Sequence, residues 1–432
     1  MSEIAAAPTL RNQPERAGIR RLMLFFALVY LTEGIGQSDG LIAQPLNYYL
    51  KQVYQWTPVQ ITAFLTVLNL PWFLKPLYGV VSDFLPLFGY RRKAYLLLSN
   101  GLAAAAYFAI AGSATPGTLV FLLLLAVYGM AIASTLCGAV LVENGQKFNA
   151  NAVFVNQQQL WFNVAAILTS LLGGAFVQWM MPLTAVHAAA AIAGIAPILV
   201  IFGTLALIEE DKTTVSRSEF TEGVASLIAA FKARRLWVIA GFLFFFYFSP
   251  GIDTPVYFYM TDHLKFSQAY IGVLNAIGAL GWIAAALFYR FYLEDLSSKT
   301  LLNLSILAAV LATFAYIFMV GAVTAALVHL CYGAASMMTV VAMFGLAADH
   351  CPKRVEAFVF AAMIAVTNIA AAAADNVGSY LYEHVFHSEI YPLVLVAAAV
   401  TVLNFALVPF LGLASEAAPV KRPRWRKPAG PS

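Results

Sequence analysis

The chain has 432 residues, 61% hydrophobic and only 11% charged, with 25 Lys plus Arg against 21 Asp plus Glu and a mean hydropathy of +0.79. Soluble domains are about a quarter charged and about half apolar, so this composition excludes a disordered chain and a water-soluble enzyme and points to lipid as the main solvent. Cys137, Cys331 and Cys351 have no paired spacing and the six histidines are scattered, so neither a disulfide framework nor a metal site is expected, and no cofactor is predicted.

Long apolar windows begin near residues 22, 58, 94, 117, 150, 183, 236, 267, 300, 322, 355 and 391. Each can run for about 20 residues, enough to cross a hydrocarbon core roughly 30 Å thick. Nothing alternates with period 2 as barrel strands would, and irregular backbone cannot face lipid, so all should be helices. The sequence therefore predicts an all-α membrane protein of twelve transmembrane helices in two six-helix halves. Residues 1–21 form a tail, 22–208 the first half, 209–235 a polar connector, 236–413 the second half and 414–432 a basic tail. Within the connector, Ser216 and Glu219 have capping-box spacing, and Phe220, Val224, Leu227, Ile228 and Phe231 share a helical face. A short amphipathic helix on the membrane surface or a plain covering linker both fit.

With both termini inside, twenty-two of the 25 basic residues fall on inside segments, Lys51 and Lys265 lie outside, and Lys75 sits within a span. That bias predicts both termini cytoplasmic in a plasma (inner) membrane and supports the helix count. The net charge of +4 then serves anchoring to an anionic inner leaflet, not nucleic-acid binding. No cleavable signal peptide is expected. Matching residue n to n + 210 places Trp72 on Trp282, Ile61 on Ile271 and Thr57-Pro58 on Ser267-Gln268, the last two pairs reading as helix caps. Two halves related by a pseudo-two-fold along the membrane normal suit a major facilitator transporter.

Ionisable groups inside the spans are the first site candidates, since each costs about 2.5 to 3.5 kcal/mol at mid-helix unless paired or hydrated. Glu33 and Asp39 share span 1 with Gly34, Gly36, Gly40 and Pro45. Lys75, flanked by Pro71 and Pro76, stands eight residues before Asp83, about 12 Å in from the end of span 2. Asp253 lies within Ser249-Pro250-Gly251-Ile252-Asp253-Thr254-Pro255 of span 7, the counterpart of span 1, and interrupted helices at corresponding positions point to a transport site. Asp375, beside Asn376 and Gly378, is a further acid in span 11. Glu143 and Asp349 end spans 4 and 10 and read as gate or cap residues. Gln157 and Trp161 of span 5 offer amide groups and an aromatic face suited to a flat heteroaromatic ligand, with Asn69, Asn275 and Asn368 as further amides. The same acids and amides also suit static interhelical pairing.

The segment Leu70-Pro71-Trp72-Phe73-Leu74-Lys75-Pro76-Leu77-Tyr78-Gly79, followed by Ser82-Asp83 and then Gly89-Tyr90-Arg91-Arg92-Lys93, resembles the folate/biopterin transporter family, a branch of the major facilitator superfamily. Leu346-Ala347-Ala348, Cys351-Pro352, Val355-Glu356-Ala357 and Phe360-Ala361, with Asn368 beyond, are similar to the family's tenth loop and eleventh span. The resemblance implies alternating-access transport of a folate- or pteridine-like solute. It also implies a loop motif, Gly79, Asp83, Gly89, Arg91 and Arg92, in which Asp83 and the basic run clamp the loop to a neighbouring helix in one conformation and release it in another. Interfacial anchoring explains the arginines equally, but not Asp83. The family's fourth span tends to carry two aspartates before its glutamate, whereas Ser134 and Gly138 precede Glu143 here, which puts the pteridine cargo in question.

The expectation is a secondary transporter, not an enzyme, of a small polar or anionic solute coupled to a proton or other ion. Lys75 would contact a substrate carboxylate or pair with an acid of span 1, and Glu33, Asp39 or Asp253 would carry the coupling proton. A permease for another solute such as a muropeptide, or a non-transporting membrane assembly factor on the same fold, are the alternatives. No phosphate-binding Gly-rich loop or nucleophile triad is present in the sequence.

Overall fold

The computed structural model describes residues 13–112, 116–148, 150–213, 232–293, 296–349 and 356–413, with Thr221, Ala225 and Ile228 as isolated points. The first half comprises α1 (Gln13–Gly36), α2 (Ala43–Val53), α3 (Pro58–Phe73), α4 (Lys75–Phe84), α5 (Lys93–Ala111), α6 (Pro116–Lys147), α7 (Asn151–Trp179) and α8 (Pro182–Leu207). The second comprises α9 (Arg234–Tyr247), α10 (Asp253–Phe258), α11 (Gln268–Phe288), α12 (Ser298–Ala315), α13 (Ala322–Asp349), α14 (Glu356–Tyr380) and α15 (Ile390–Leu407). Among the described residues no strand forms; Leu87 and Tyr90 make only an isolated bridge. Apart from those three points, the predicted amphipathic helix between Ser216 and Phe231 lies outside the described residues.

Ten of the predicted spans are helical paths long and apolar enough to cross a membrane. The first and seventh are interrupted, as the sequence predicts, into α1 with α2 and α9 with α10, and span 2 is divided at Leu74 into α3 and α4. Glycine is the reason in span 1: a Cβ on Gly40 would collide with the carbonyls of Gly34 and Ile35, because the chain folds back over its own preceding turn. Leu41 N–H donates to the Ile35 carbonyl at 3.0 Å and Gly40 N–H to Gln37 at 2.9 Å, which supplies partners that the helix no longer provides. In span 7, Pro250 has no N–H to continue the helix, and Gly251 N–H donates instead to the Ala374 carbonyl of α14 at 2.9 Å.

The halves repeat with the offset of 210. The break from Gly36 to Ala43 recurs, within one residue of the offset, from Tyr247 to Asp253, and α3 and α11 start at Pro58 and Gln268. Thr57 accepts from Gln60 N–H and Ser267 from Tyr270 N–H, so both predicted caps form. Gln55 and Lys265 both have φ of 54°, and Trp56 N–H to Leu50 recurs as Phe266 N–H to Met260. The backbone shows a symmetry that side chains barely retain.

Apolar packing divides the bundle by depth. The end that holds the 85–92 turn and Leu413 also carries Arg20, Arg21, Arg91 and Lys93, and is termed the basic end; the opposite end is the far end. At the far end one core joins both halves, with Leu41, Leu46, Tyr49 and Leu68 packed with Tyr257, Met260, Leu274 and Leu393. Toward the basic end the cores are separate. Phe25, Phe26, Leu136 and Phe154 belong to the first half, and Leu243, Ile306, Met343 and Val359 to the second. The far end is closed by burial of apolar surface, the dominant favourable term in such packing.

Candidate functional site

Two groups of ionisable side chains lie inside the bundle, at different depths. The group nearer the basic end belongs wholly to the first half. Helix α3 ends at Phe73 and α4 begins at Lys75, because Pro71 and Pro76 loosen the span around Leu74 as the sequence predicts. Lys75 Nζ donates to Ser134 Oγ on α6 at 3.1 Å, and Ser134 Oγ donates to Glu33 Oε1 on α1 at 2.7 Å. The ammonium also lies 4.5 Å from the Trp72 ring centroid. Glu33 is buried, and its Oε2 has no hydrogen-bond partner. The expected pairing of Lys75 with an acid of span 1 is thus realised through a hydroxyl. Sequence reasoning noted Ser134 only as a departure from the family pattern and missed its role as the bridge.

The second group lies at the helix breaks. Asp39 sits in the break of span 1, Asp253 starts α10 after the break of span 7, and Asp375 lies on α14. The three carboxylates are close enough to interact electrostatically. Asp39 and Asp253 are solvent-accessible residues deep in the bundle, so they face the space between the halves. Asp253 and Asp375 line a cavity of about 300 Å³ together with Ser249, Tyr332, Ser336 and Thr401. Among the described residues none of the three acids has a cation partner or hydrogen bond. Backbone contact fixes their setting: a Cβ on Gly378 would collide with Gly251, and one on Gly251 with Asp375.

Their relative depth follows from the helices that carry them. Asn376 Nδ2 donates to Thr66 Oγ1 of α3 at 2.6 Å, which puts Asp375 level with Thr66. Lys75 is nine residues further along that span, about 13 Å at 1.5 Å per residue. Ser38 Oγ donates to Asn69 Oδ1 at 2.7 Å, tying the break of span 1 to the intervening turn.

Gln157 and Trp161 are joined to each other, Trp161 Nε1 donating to Gln157 Oε1 at 2.8 Å, one helical turn apart on α7. Asn163 donates to its own helix, at the Gln159 carbonyl.

The loop motif assembles around Arg92, which is buried. Its guanidinium donates to Asp83 Oδ1 at 2.5 Å, to Glu143 Oε1 at 2.7 Å and to Ser82 Oγ. Span 2, span 3 and span 4 of the first half are thereby held together, with Glu143 as one of the carboxylates that Arg92 joins. Gly89 adopts φ of +85° at the turn, which favours glycine, and Gly79 lies against Thr135. Arg91 takes part through its backbone, not its side chain. The Glu210 carboxylate accepts the amides of Arg91, Arg92 and Lys93 at 2.7, 3.0 and 2.7 Å, capping α5. Arg21 pairs with Glu209 and holds that exposed carboxyl below its ordinary range. The two acids were legible only as the start of the connector.

A third cluster closes the far end. Lys51 Nζ donates to Asp262 Oδ1 at 2.6 Å and to Thr261 Oγ1, and lies 4.0 Å from the Phe258 ring centroid. Gln44 Nε2 donates to the Gln268 carbonyl at 2.7 Å, and Val59 N–H to Glu383 Oε2 at 3.2 Å. Every one of these bonds joins the two halves. The signal for Lys51 was its standing as one of only two outside basic residues.

With this geometry, comparison with known proteins is informative. The model of the BT1 family matches residues 35–420. The folate-biopterin transporter of Synechocystis sp. is 26% identical over 427 residues, 95% of this chain and 85% of its own length. Folate transporter 1 of Plasmodium falciparum is 24% identical over 281 residues, covering 64% of this chain and 54% of that protein. The crystal structure of a D-xylose–proton symporter superposes with a TM-score of 0.70 at 14% identity, covering 91% of this chain and 98% of that one, which establishes the major facilitator fold.

Proposed function

Because the chain belongs to the BT1 family and is a multi-pass membrane transporter of solutes, we propose that it carries a folate- or pteridine-like metabolite by proton-coupled alternating access. The halves 22–208 and 236–413 are the rocking units, both termini face the cytoplasm, and the membrane is the plasma (inner) membrane. The excess of Lys and Arg at the basic end supports that orientation.

The observation that carries this reading is the division of charge between the two depths. A solute with a carboxylate at one end and a hydrogen-bond-donating heteroaromatic edge at the other finds an ammonium at Lys75 and unpaired carboxylates at Asp253 and Asp375. The names of the Synechocystis and Plasmodium relatives support the pteridine assignment. Coupling rests on Asp39, which belongs to the first half, while Asp253 and Asp375 belong to the second. Three ionised carboxylates across the interface repel one another and oppose closure of the far end. Proton uptake, or a donor edge of the cargo, removes the repulsion and permits closure.

Counterflow in proteoliposomes tests this: labelled folate and reduced pterins should exchange saturably, and an imposed inward proton gradient should drive their accumulation. Absence of exchange for pteridines, with exchange of another solute class, would establish the second reading, a permease for a different cargo. Ser134, standing where the family tends to carry an acid, favours that second reading.

A further inference from the structure

A groove opens sideways from the bundle at the basic end, apart from the transport site. Its volume is about 320 Å³, and Phe88, Tyr90, Lys93, Leu98 and Leu205 are among its walls. Leu98 and Leu205 lie on α5 and α8, both membrane-crossing helices, and are 56% and 54% exposed, so the groove faces the bilayer and not a soluble partner. The loop above it presents apolar side chains outward. Leu85 is 62% exposed, and Phe88 is 79% exposed at φ of 54°, a left-handed conformation rare for an aromatic residue. In water this display is unfavourable, whereas at the level of lipid headgroups it is stabilising.

Cations surround the mouth of the groove. Lys212 lays its stem across Gly89 and holds its ammonium 5.9 Å from the Tyr90 ring centroid. Lys93 lines the groove itself, its ammonium donating to the Ile208 carbonyl at 3.0 Å. Arg91 Nε is buried without a hydrogen-bond partner. Of the neighbouring acids, Glu210 accepts three backbone amides, Glu209 pairs with Arg21, and Asp211 is exposed. An apolar slot thus lies beside three basic side chains, Arg91, Lys93 and Lys212.

We infer that this groove binds one anionic phospholipid of the inner leaflet, with an acyl chain in the slot and the phosphate between Arg91, Lys93 and Lys212. Attraction of basic residues to anionic headgroups and burial of methylene groups both contribute. The site adjoins the Arg92 clamp through consecutive residues of one loop, so the lipid braces the loop that the clamp holds. The inference depends on the membrane setting and not on the identity of the cargo.

Native mass spectrometry of the full-length protein in mild non-ionic detergent provides the test, with phosphatidylglycerol and phosphatidylcholine of matched chains as probes. One phosphatidylglycerol should be retained per protein, in clear preference to phosphatidylcholine. Retention should fall roughly tenfold in the Arg91→Ala, Lys212→Ala double variant, and comparably in Leu205→Trp, which fills the slot and leaves every charge in place. Equal retention of the two lipids would overturn the inference. So would undiminished phosphatidylglycerol binding by Leu205→Trp, even if the double variant binds less or fails to fold.

Discussion

Lys51 and Thr261 are 210 positions apart, the offset that relates the two halves, and the Lys51 ammonium donates to the Thr261 hydroxyl. Repeat-related positions meet here because the pseudo-two-fold passes between the halves at the far end. Asp262 and the Phe258 ring complete the contact, so it is at once an ion pair, a hydrogen bond and a cation–π pair. Asp262 remains half-exposed, which limits the ion pair to about 1 kcal/mol. Lys51→Ala should therefore shift the balance toward a far-end-open form roughly fivefold. Labelling of a cysteine at position 38 by an impermeant maleimide, in a background with Cys331 replaced by serine, reads that shift. Unchanged labelling would show that the apolar core and the remaining bonds between the halves keep the far end shut without Lys51.

Ser134→Ala should remove the acceptor for Lys75 and the donor to Glu33 in one step. Leaving buried polar groups unpaired costs about 1–3 kcal/mol, which a lowered melting midpoint in detergent would register. Coupling between Ser134→Ala and Glu33→Gln, measured as a double-mutant cycle on both stability and transport, should exceed about 0.5 kcal/mol. Additive effects would mean that the hydroxyl bridge is incidental.

Glycines with different surroundings should respond in opposite directions. Gly378→Ala places a methyl group against the Gly251 backbone and should cost about 1–3 kcal/mol of strain, with loss of transport, because both residues set the position of the acids. Gly101→Ala, where nothing lies within 4 Å, should be neutral or stabilising by up to about 1 kcal/mol. Thermal unfolding of both variants checks the contrast.

Arg92→Lys keeps the charge and loses the fork that reaches Asp83 and Glu143 together. Transport should fall in this variant while Arg91→Lys retains it, since Arg91 contributes only its backbone amide to the clamp. Uptake rates at matched expression distinguish them, and equal rates would remove the clamp from the transport cycle.

How much of this was legible depended on whether a feature is local. The helix breaks were readable because Gly34, Gly36 and Gly40 in one half and Ser249-Pro250-Gly251 in the other act on their own backbone. Thr57 and Ser267 were readable as caps for the same reason. The buried acids and Lys75 stood out because charge is costly in a span, so that each one draws attention. Ser134 carried no such cost, and nothing in its neighbours shows that it lies between Lys75 and Glu33. Lys51 and Asp262 meet only after two halves have folded and docked, beyond the reach of any local pattern. Gln157 and Trp161 were readable in another way: their spacing of four allows a bond along one helix, and that bond forms.

The division of the site between the halves has a consequence for selectivity. Lys75, Ser134 and Glu33 move with one half, while Asp253 and Asp375 are pinned by Gly251 and Gly378 to the other. The proposed rocking would therefore change the gap between the ammonium and the carboxylates, as the jaws of a caliper move along their scale. In the proposed cycle a molecule long enough to bridge the jaws would favour one opening over another, so cargo length, as well as cargo charge, would be a quantity that the protein measures.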